Sequence, residues 1–290
     1  MLSIVTATYN RELLLPRLYK SLTEQSCQDF EWIIVDDGSA DNTISLLKEW
    51  TLEKKINIKF FKQANSGKHV ALNLAFKNSG AEFILIVDSD DLLSCDAVEI
   101  INSKILEIKK NKDYEKLSGI CFPKADLNGI LIGNIHNNSP LTCNYLDYRY
   151  KYKIYGDKVE VYKRKVLLEF PFPEFENEKF CPEALIWNRI SQKYTMVFYS
   201  DIVYLCEYQQ NGLTSKIYEI RKNSPQATLQ YYFELSLLDI PILIKLKAIL
   251  NYWRFYIVSQ GSKYSLNKPK GFLSNIGRLF IYFLYILKLI

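Results

Sequence analysis

The stretch Ile84-Leu85-Ile86-Val87-Asp88-Ser89-Asp90-Asp91 decides how the rest of the chain is read. Four apolar, mostly β-branched side chains predict a buried strand. Three carboxylates crowd its C-terminal end. Like charges so close repel, and clustering them costs free energy unless a cation neutralises them. Hard divalent cations prefer carboxylate oxygens and share their shell with phosphates. The string therefore points to a cation site for a phosphorylated ligand. A strand-to-helix turn in which Asp90 or Asp91 caps the following helix is the simpler reading, and the string alone leaves both open.

Upstream, strand and helix signals alternate. Ser3–Thr8 predicts a strand, and Leu13–Ser26 a helix whose Leu14, Leu18 and Leu22 share one face. Phe30–Val35 predicts a second strand, ending in Asp36-Asp37-Gly38-Ser39. Asp41 or Asn42 caps a helix through Leu52, Ile56–Phe61 is a third strand, and Lys68–Asn78 a helix closed by Ser79-Gly80. A helix from about Asp96 to Lys110 follows the Ile84 strand. Such alternation predicts an α/β fold with a mainly parallel sheet flanked by helices. Ligands of these sheets bind beyond the carboxyl ends of the strands, where both acidic strings fall. Further along, short strands (Gly119–Pro123, Val159–Tyr162, Met196–Tyr199, Val203–Tyr208) alternate with polar loops, and Pro182 opens a helix to Tyr194. Residues 225–290 predict two or three helices, the last set off by a linker over 261–271.

At 290 residues the chain can bury a large core. Its six cysteines are scattered without the spacing of a zinc site, which suits a reduced, cytosolic chain with small buried thiols. The N-terminus runs directly into a strand and lacks the pattern of a signal peptide. The net charge of +5 is uneven: residues 241–290 hold eight cations (Lys245, Lys247, Arg254, Lys263, Lys268, Lys270, Arg278, Lys288) and no acid, leaving −3 on the first 240. A basic tail on an acidic body implies an anionic surface as partner.

Thr8-Tyr9-Asn10, the run Val35 to Thr43, Asn65-Ser66-Gly67-Lys68 with Ala71-Leu72-Asn73, and Val87-Asp88-Ser89-Asp90-Asp91 stand in order at predicted strand ends. Together they resemble the motifs of the family 2 nucleotide-sugar glycosyltransferases, over about residues 1–215. The resemblance implies a GT-A (Rossmann-like) catalytic domain over 1–218, with a nucleotide-sugar half (1–118) and an acceptor half (119–218). A helical, basic extension over 219–290 completes the expected organisation. Also implied is inverting, metal-dependent transfer of one sugar, with UDP the expected nucleotide and Mn²⁺ or Mg²⁺ the cofactor. Nucleotide-sugar contacts fall to Thr8, Tyr9 near the base, Asp37 on the base, Lys68 on the diphosphate and Asp88 on ribose or metal; Asp90 is the metal ligand. The acceptor's base is expected on a carboxylate opening a helix, which is Glu183, with Glu178 the alternative. The paired Glu-Asp of the family is absent at this place, and Glu183 also suits a helix N-terminus without any function. No histidine late in the domain joins the metal. The QxxRW-type motif of polymerising relatives is missing, which favours single-sugar transfer.

The last helix, 271–290, carries the apolar run Leu279–Leu287, too short to span a bilayer and flanked by cations. It is expected to lie in the plane of an anionic membrane, as a peripheral anchor on the inner face of the cell membrane, or to pack on its own domain or a second copy. The partners expected are a nucleotide-sugar donor and a lipid-linked glycan acceptor of bacterial surface polysaccharide (capsule) assembly. Nucleic acid is not expected, for want of any recognition motif. A non-catalytic nucleotide-sugar or glycan-binding scaffold is the alternative function. A nucleotidyltransferase would need a Gly-rich basic loop that Thr8-Tyr9-Asn10-Arg11-Glu12 does not supply.

Overall fold

The computed structural model describes residues 1–207, 216–264 and 266–287. The end of the predicted Val203–Tyr208 strand and the last three residues of the tail lie outside them. The chain forms two compact units. The first comprises Met1–Pro171 with Arg189–Tyr208, the second Phe172–Asn188 with Gln209–Ile290. The segment that carries Glu178 and Glu183 groups with the C-terminal helices.

In chain order the elements are β1 (Leu2–Thr8), α1 (Leu15–Thr23), β2 (Phe30–Asp36), α2 (Thr43–Glu53), β3 (Asn57–Lys62), α3 (Lys68–Asn78), β4 (Phe83–Ile86), β5 (Leu92–Leu93) and α4 (Ala97–Lys109). There follow β6 (Leu117–Ala125), β7 (Leu141–Cys143), β8 (Lys158–Lys163), α5 (Arg164–Glu169), α6 (Glu183–Ser191), β9 (Thr195–Phe198) and β10 (Tyr204–Leu205). Four helices close the described chain: α7 (Ile217–Lys222), α8 (Pro225–Leu237), α9 (Ile242–Val258) and α10 (Phe272–Ile286).

The sheet runs β3-β2-β1-β4-β8-β6-β10-β5, with β9 on β6 and β7 on β9. Its first four strands are parallel, as the alternation predicts. Beyond them β8 runs antiparallel to both β4 and β6, so the second half is mixed. All seven residues of β2 are buried, because helices cover both faces of a parallel sheet. Tyr19, Trp32 and Trp50 stack between α1, β2 and α2, with Tyr19 and Trp50 ring centroids 4.2 Å apart. The Trp32 indole N–H donates to Thr6 Oγ1 at 3.0 Å, satisfying its one polar atom.

Two local expectations are corrected. The buried stripe of α1 is Leu15, Leu18, Tyr19 and Leu22, with Leu14 only flanking the helix. Pro16 in the first turn sets this start, since a proline is tolerated only where its missing N–H costs nothing. And α3 does not end in a glycine cap. Ser79 is extended, and the Gly80 N–H donates to the buried carboxylate of Glu31 at 2.5 Å. Short β5, β7 and α5 were not expected at all; each is too brief to show a period.

Gly119, on β6, sits close against the backbone of β8. A Cβ there would lie 1.9 Å from the Val161 carbonyl oxygen of β8, a backbone atom that cannot swing aside. Gly119→Ala is therefore expected to lower stability by about 3 kcal/mol or to abolish folding. Urea denaturation with an unchanged midpoint would refute this.

Candidate active site

The carboxyl edge of the sheet gathers the motifs. Thr8 and Asp36 are register partners at the ends of β1 and β2. Pairing continues past both strands: Asp37 N–H donates to the Thr8 carbonyl (2.8 Å) and Val87 N–H to the Val5 carbonyl (2.9 Å). Asp36 is buried and folds the turn after β2, its Oδ2 accepting from Gly38 N–H (3.2 Å) and Ser39 N–H (3.1 Å). The turn needs a glycine, since Gly38 has φ +82° and a Cβ there would meet Asn65 N at 2.9 Å.

The loops after β1 and β2 are laced together. Asn10, itself at φ 51°, donates its N–H to Ser39 Oγ (2.8 Å) and accepts from Ala40 N–H at Oδ1 (2.9 Å). Glu12 N–H donates to Asp41 Oδ2 (3.1 Å), and Glu12 Oε2 accepts from Asn42 N–H (2.8 Å). The polar residues of the first two motifs thus bind each other. Thr8 is buried with its hydroxyl oxygen unpartnered, whereas Tyr9 is 47% exposed at the edge.

Asp37 is buried, and its carboxylate is fully engaged. Oδ1 accepts from Gln63 Nε2 (2.8 Å) and Ser66 N–H (2.8 Å), Oδ2 from Gly67 N–H (2.8 Å) and Asn65 Nδ2 (3.3 Å). Four donors fill the four lone-pair sites of a carboxylate. Here Asp37 organises the loop that leads into α3, so a contact with a base requires one of these donors to yield.

That loop delivers Lys68, the first residue of α3, to the acidic turn. Its Nζ lies 2.5 Å from Asp88 Oδ1. Arg11 Nη2 stands 3.9 Å from Asp90 Oδ2, and Lys124 Nζ, from β6, 3.9 Å from Asp91 Oδ2. Three cations thus stand around the three carboxylates. Burial works against ionisation of Asp88, but Lys68, Lys124 and Arg11 outweigh it and hold the carboxyl below its usual range. Asp91 behaves oppositely: burial pushes it up to about 6, with Lys124 offsetting only part. Its Oδ2 accepts the Tyr204 hydroxyl proton at 2.7 Å, and the same hydroxyl oxygen accepts Asp88 N–H at 3.0 Å. Sequence reading missed Arg11, Lys124 and Tyr204, which carry no motif and reach the turn only through the fold.

Asp88 and Asp90 can hold a divalent cation. No group of three or more His, Cys, Asp or Glu is arranged for a metal among the described residues. Two carboxylates on one turn are the hard oxygen donors that Mg²⁺ or Mn²⁺ shares with phosphate oxygens and water.

The expected bases lie in the second unit. Glu183 is the first residue of α6, with Leu185 N–H closing the turn onto the Pro182 carbonyl at 3.0 Å. Glu178 is buried and accepts from Gln226 N–H (2.7 Å) and Ala227 N–H (2.9 Å), capping the first turn of α8. Both its oxygens are thereby committed to structure.

Residues 3–111 match the family model described as glycosyl transferase family 2. Residues 3–111 carry the family 2 glycosyltransferase signature. Over 219 residues it is 25% identical to the GalNAc(5)-diNAcBac-PP-undecaprenol beta-1,3-glucosyltransferase of Campylobacter jejuni, covering 73% of this chain and 67% of that one. The fold resembles Staphylococcus aureus TarS 1–349 in complex with UDP-GlcNAc, with TM-score 0.59 and 17% identity over 99% of this chain and 92% of that one. It also resembles the mannosyltransferase PcManGT of Pyrobaculum calidifontis in complex with GDP-Man and Mn²⁺, with TM-score 0.58 and 15% identity over 100% and 80%. The architecture is accordingly GT-A. The chain spans 15–40% of the length of the first four curated relatives it matches, all glycosyltransferases.

Proposed function

We propose that the family 2 domain transfers one sugar, with inversion, from a UDP-sugar to a lipid-linked glycan in bacterial surface polysaccharide assembly. The observation that carries this reading is the Lys68–Asp88 pair at the strand edge. A lysine on a flexible stem, parked on a carboxylate, is a point charge that a donor diphosphate can take over. A lipid-linked acceptor is supported by the name of the Campylobacter relative, and a UDP-sugar by the TarS complex.

In this mechanism Lys68 holds the diphosphate, Asp88 the ribose or the metal, and Asp90 the metal. Thr8 and Tyr9 line the nucleoside, and Asp37 receives the base N–H as the Gln63 amide gives way. A bound Mn²⁺ or Mg²⁺ would neutralise charge on the departing diphosphate. Glu183 takes the proton of the acceptor hydroxyl as its oxygen attacks the anomeric carbon from the face opposite the leaving group. The new glycosidic bond forms as the bond to phosphate breaks, and the nucleoside diphosphate leaves.

A hydrolysis screen over nucleotide sugars with Mn²⁺ tests the donor side without an acceptor. Slow release of UDP from one UDP-sugar, stopped by EDTA, is expected. Release from none of them, with binding retained, would favour a non-catalytic scaffold.

The same proposal seats the chain on the inner face of the cell membrane through α10. Ser274, Gly277 and Ile281 are the buried stripe of this helix, and a Cβ at Gly277 would touch Ile249 and Leu250 of α9 at 3.4 Å. Phe272, Leu279, Phe280, Phe283 and Ile286 are exposed. Among the described residues no helix is long and apolar enough to cross a membrane. An apolar face on a helix that carries Arg278 and follows Lys268 and Lys270 suits the headgroup region of anionic lipid. The full chain is expected to float with phosphatidylglycerol vesicles and Leu279→Glu/Phe283→Glu to remain below. A wild type that stays below as a dimer would assign the face to a second copy.

A further inference from the structure

Two residues that belong to no motif close around the acidic turn from behind. Lys124 and Tyr204 are register partners on β6 and β10, and Tyr204 also pairs with Leu93 of β5, directly after the turn. Tyr204 is 1% exposed, yet its hydroxyl grips the turn twice, through the Asp88 amide and the Asp91 carboxylate. The Lys124 ammonium lies 4.1 Å from the centre of the Tyr204 ring and 3.9 Å from Asp91 Oδ2. Its side chain is only 15% exposed, against 37% for both Arg11 and Lys68. The three cations therefore differ in kind. Arg11 and Lys68 can leave their carboxylates for an arriving diphosphate, while Lys124 is held by a ring below and carboxylates in front.

We propose that Lys124 is a positioning residue of the donor site: a fixed counter-charge that, braced by Tyr204, holds the Asp88–Asp91 turn in place to receive a diphosphate. This rests on the nucleotide-sugar reading above. A charge fixed beside Asp88 and Asp91 has opposite effects on the two halves of the ligand. It repels a divalent cation and attracts an anionic diphosphate. A merely structural lysine would move both in one direction, following stability.

The test measures Mn²⁺ binding alone, by the loss of the free-ion paramagnetic signal, and UDP binding alone, by calorimetry, on the full-length protein. For Lys124→Met, Mn²⁺ affinity is expected to rise by about fivefold and UDP affinity to fall by about fivefold or more. Lys124→Arg, which keeps the charge, is expected to restore both. Tyr204→Phe removes a single hydroxyl, and binding of UDP together with Mn²⁺ is expected to weaken by about tenfold while the melting temperature shifts little. Parallel losses of Mn²⁺ and UDP affinity in Lys124→Met, or no change in either, would overturn the proposal. So would an unaltered Tyr204→Phe, a measurement that stands even if Lys124→Met fails to fold. A wild type that binds neither Mn²⁺ nor UDP would overturn the nucleotide-sugar reading itself, and this inference with it.

Discussion

Replacing Glu183 by glutamine is expected to slow sugar transfer by about 10²–10⁴-fold while leaving UDP affinity within about twofold. General-base catalysis typically contributes a rate factor of that size. The amide keeps the shape of the side chain and its place at the start of α6 but cannot take a proton at neutral pH. The change therefore falls on kcat and spares donor binding. Glu178 supplies the contrast. Its carboxylate accepts two amide protons at the start of α8, so Glu178→Ala removes a buried cap and is expected to cost about 2 kcal/mol of stability. Steady-state kinetics and thermal melts on both variants separate the roles. A Glu183→Gln enzyme with full activity would remove the assignment, and an inactive but fully stable Glu178→Ala would move it to Glu178.

The second large effect is expected at Asp90. Asp90→Asn keeps the turn but lowers the charge on the group assigned to the cation. Metal-borne stabilisation of a leaving diphosphate amounts to several kcal/mol, so kcat/KM is expected to fall by about 10²–10⁴-fold. The concentration of Mn²⁺ that gives half-maximal rate should rise in parallel. Arg11, which faces Asp90 at 3.9 Å, also loses its carboxylate partner, and this should favour rather than impair UDP binding without metal. Donor hydrolysis titrated with Mn²⁺ distinguishes the two components. An Mn²⁺ dependence identical to wild type would exclude Asp90 as ligand.

Much of the first hundred residues was legible in the sequence, because parallel strands buried on both faces are written as unbroken apolar runs. The run ending at Val35 and the run ending at Val87 each announce their strand and the carboxylates just beyond it. The family motifs were likewise contiguous. What the sequence hid was reach. Lys124 sits 33 residues beyond Asp91 and Tyr204 a further 80 on, and only the order β6-β10-β5 brings them to one turn. The use of Asp37 was hidden for a related reason. Its residue type is that of a ligand contact, but its four partners come from the loop over 63–67. In α1 the face through Leu18 and Leu22 was legible, but three consecutive leucines at 13, 14 and 15 hid where the helix starts, and Pro16 in the first turn marks that start.

The cap that Glu178 places on α8 has a consequence for how the chain divides its labour. Glu183 follows five residues later in the same unit, which also contains α8, α9 and α10. With Glu183 as base, the helices that look like an appendage are the foundation on which the proton acceptor stands. A chain cut after the sheet, at residue 207, would keep every motif in its sequence, yet it would lose the two amides that seat the base-bearing segment. Such a chain should still bind UDP and transfer almost nothing. Recognition of the donor and commitment to the acceptor would thus be inherited from opposite ends of one polypeptide.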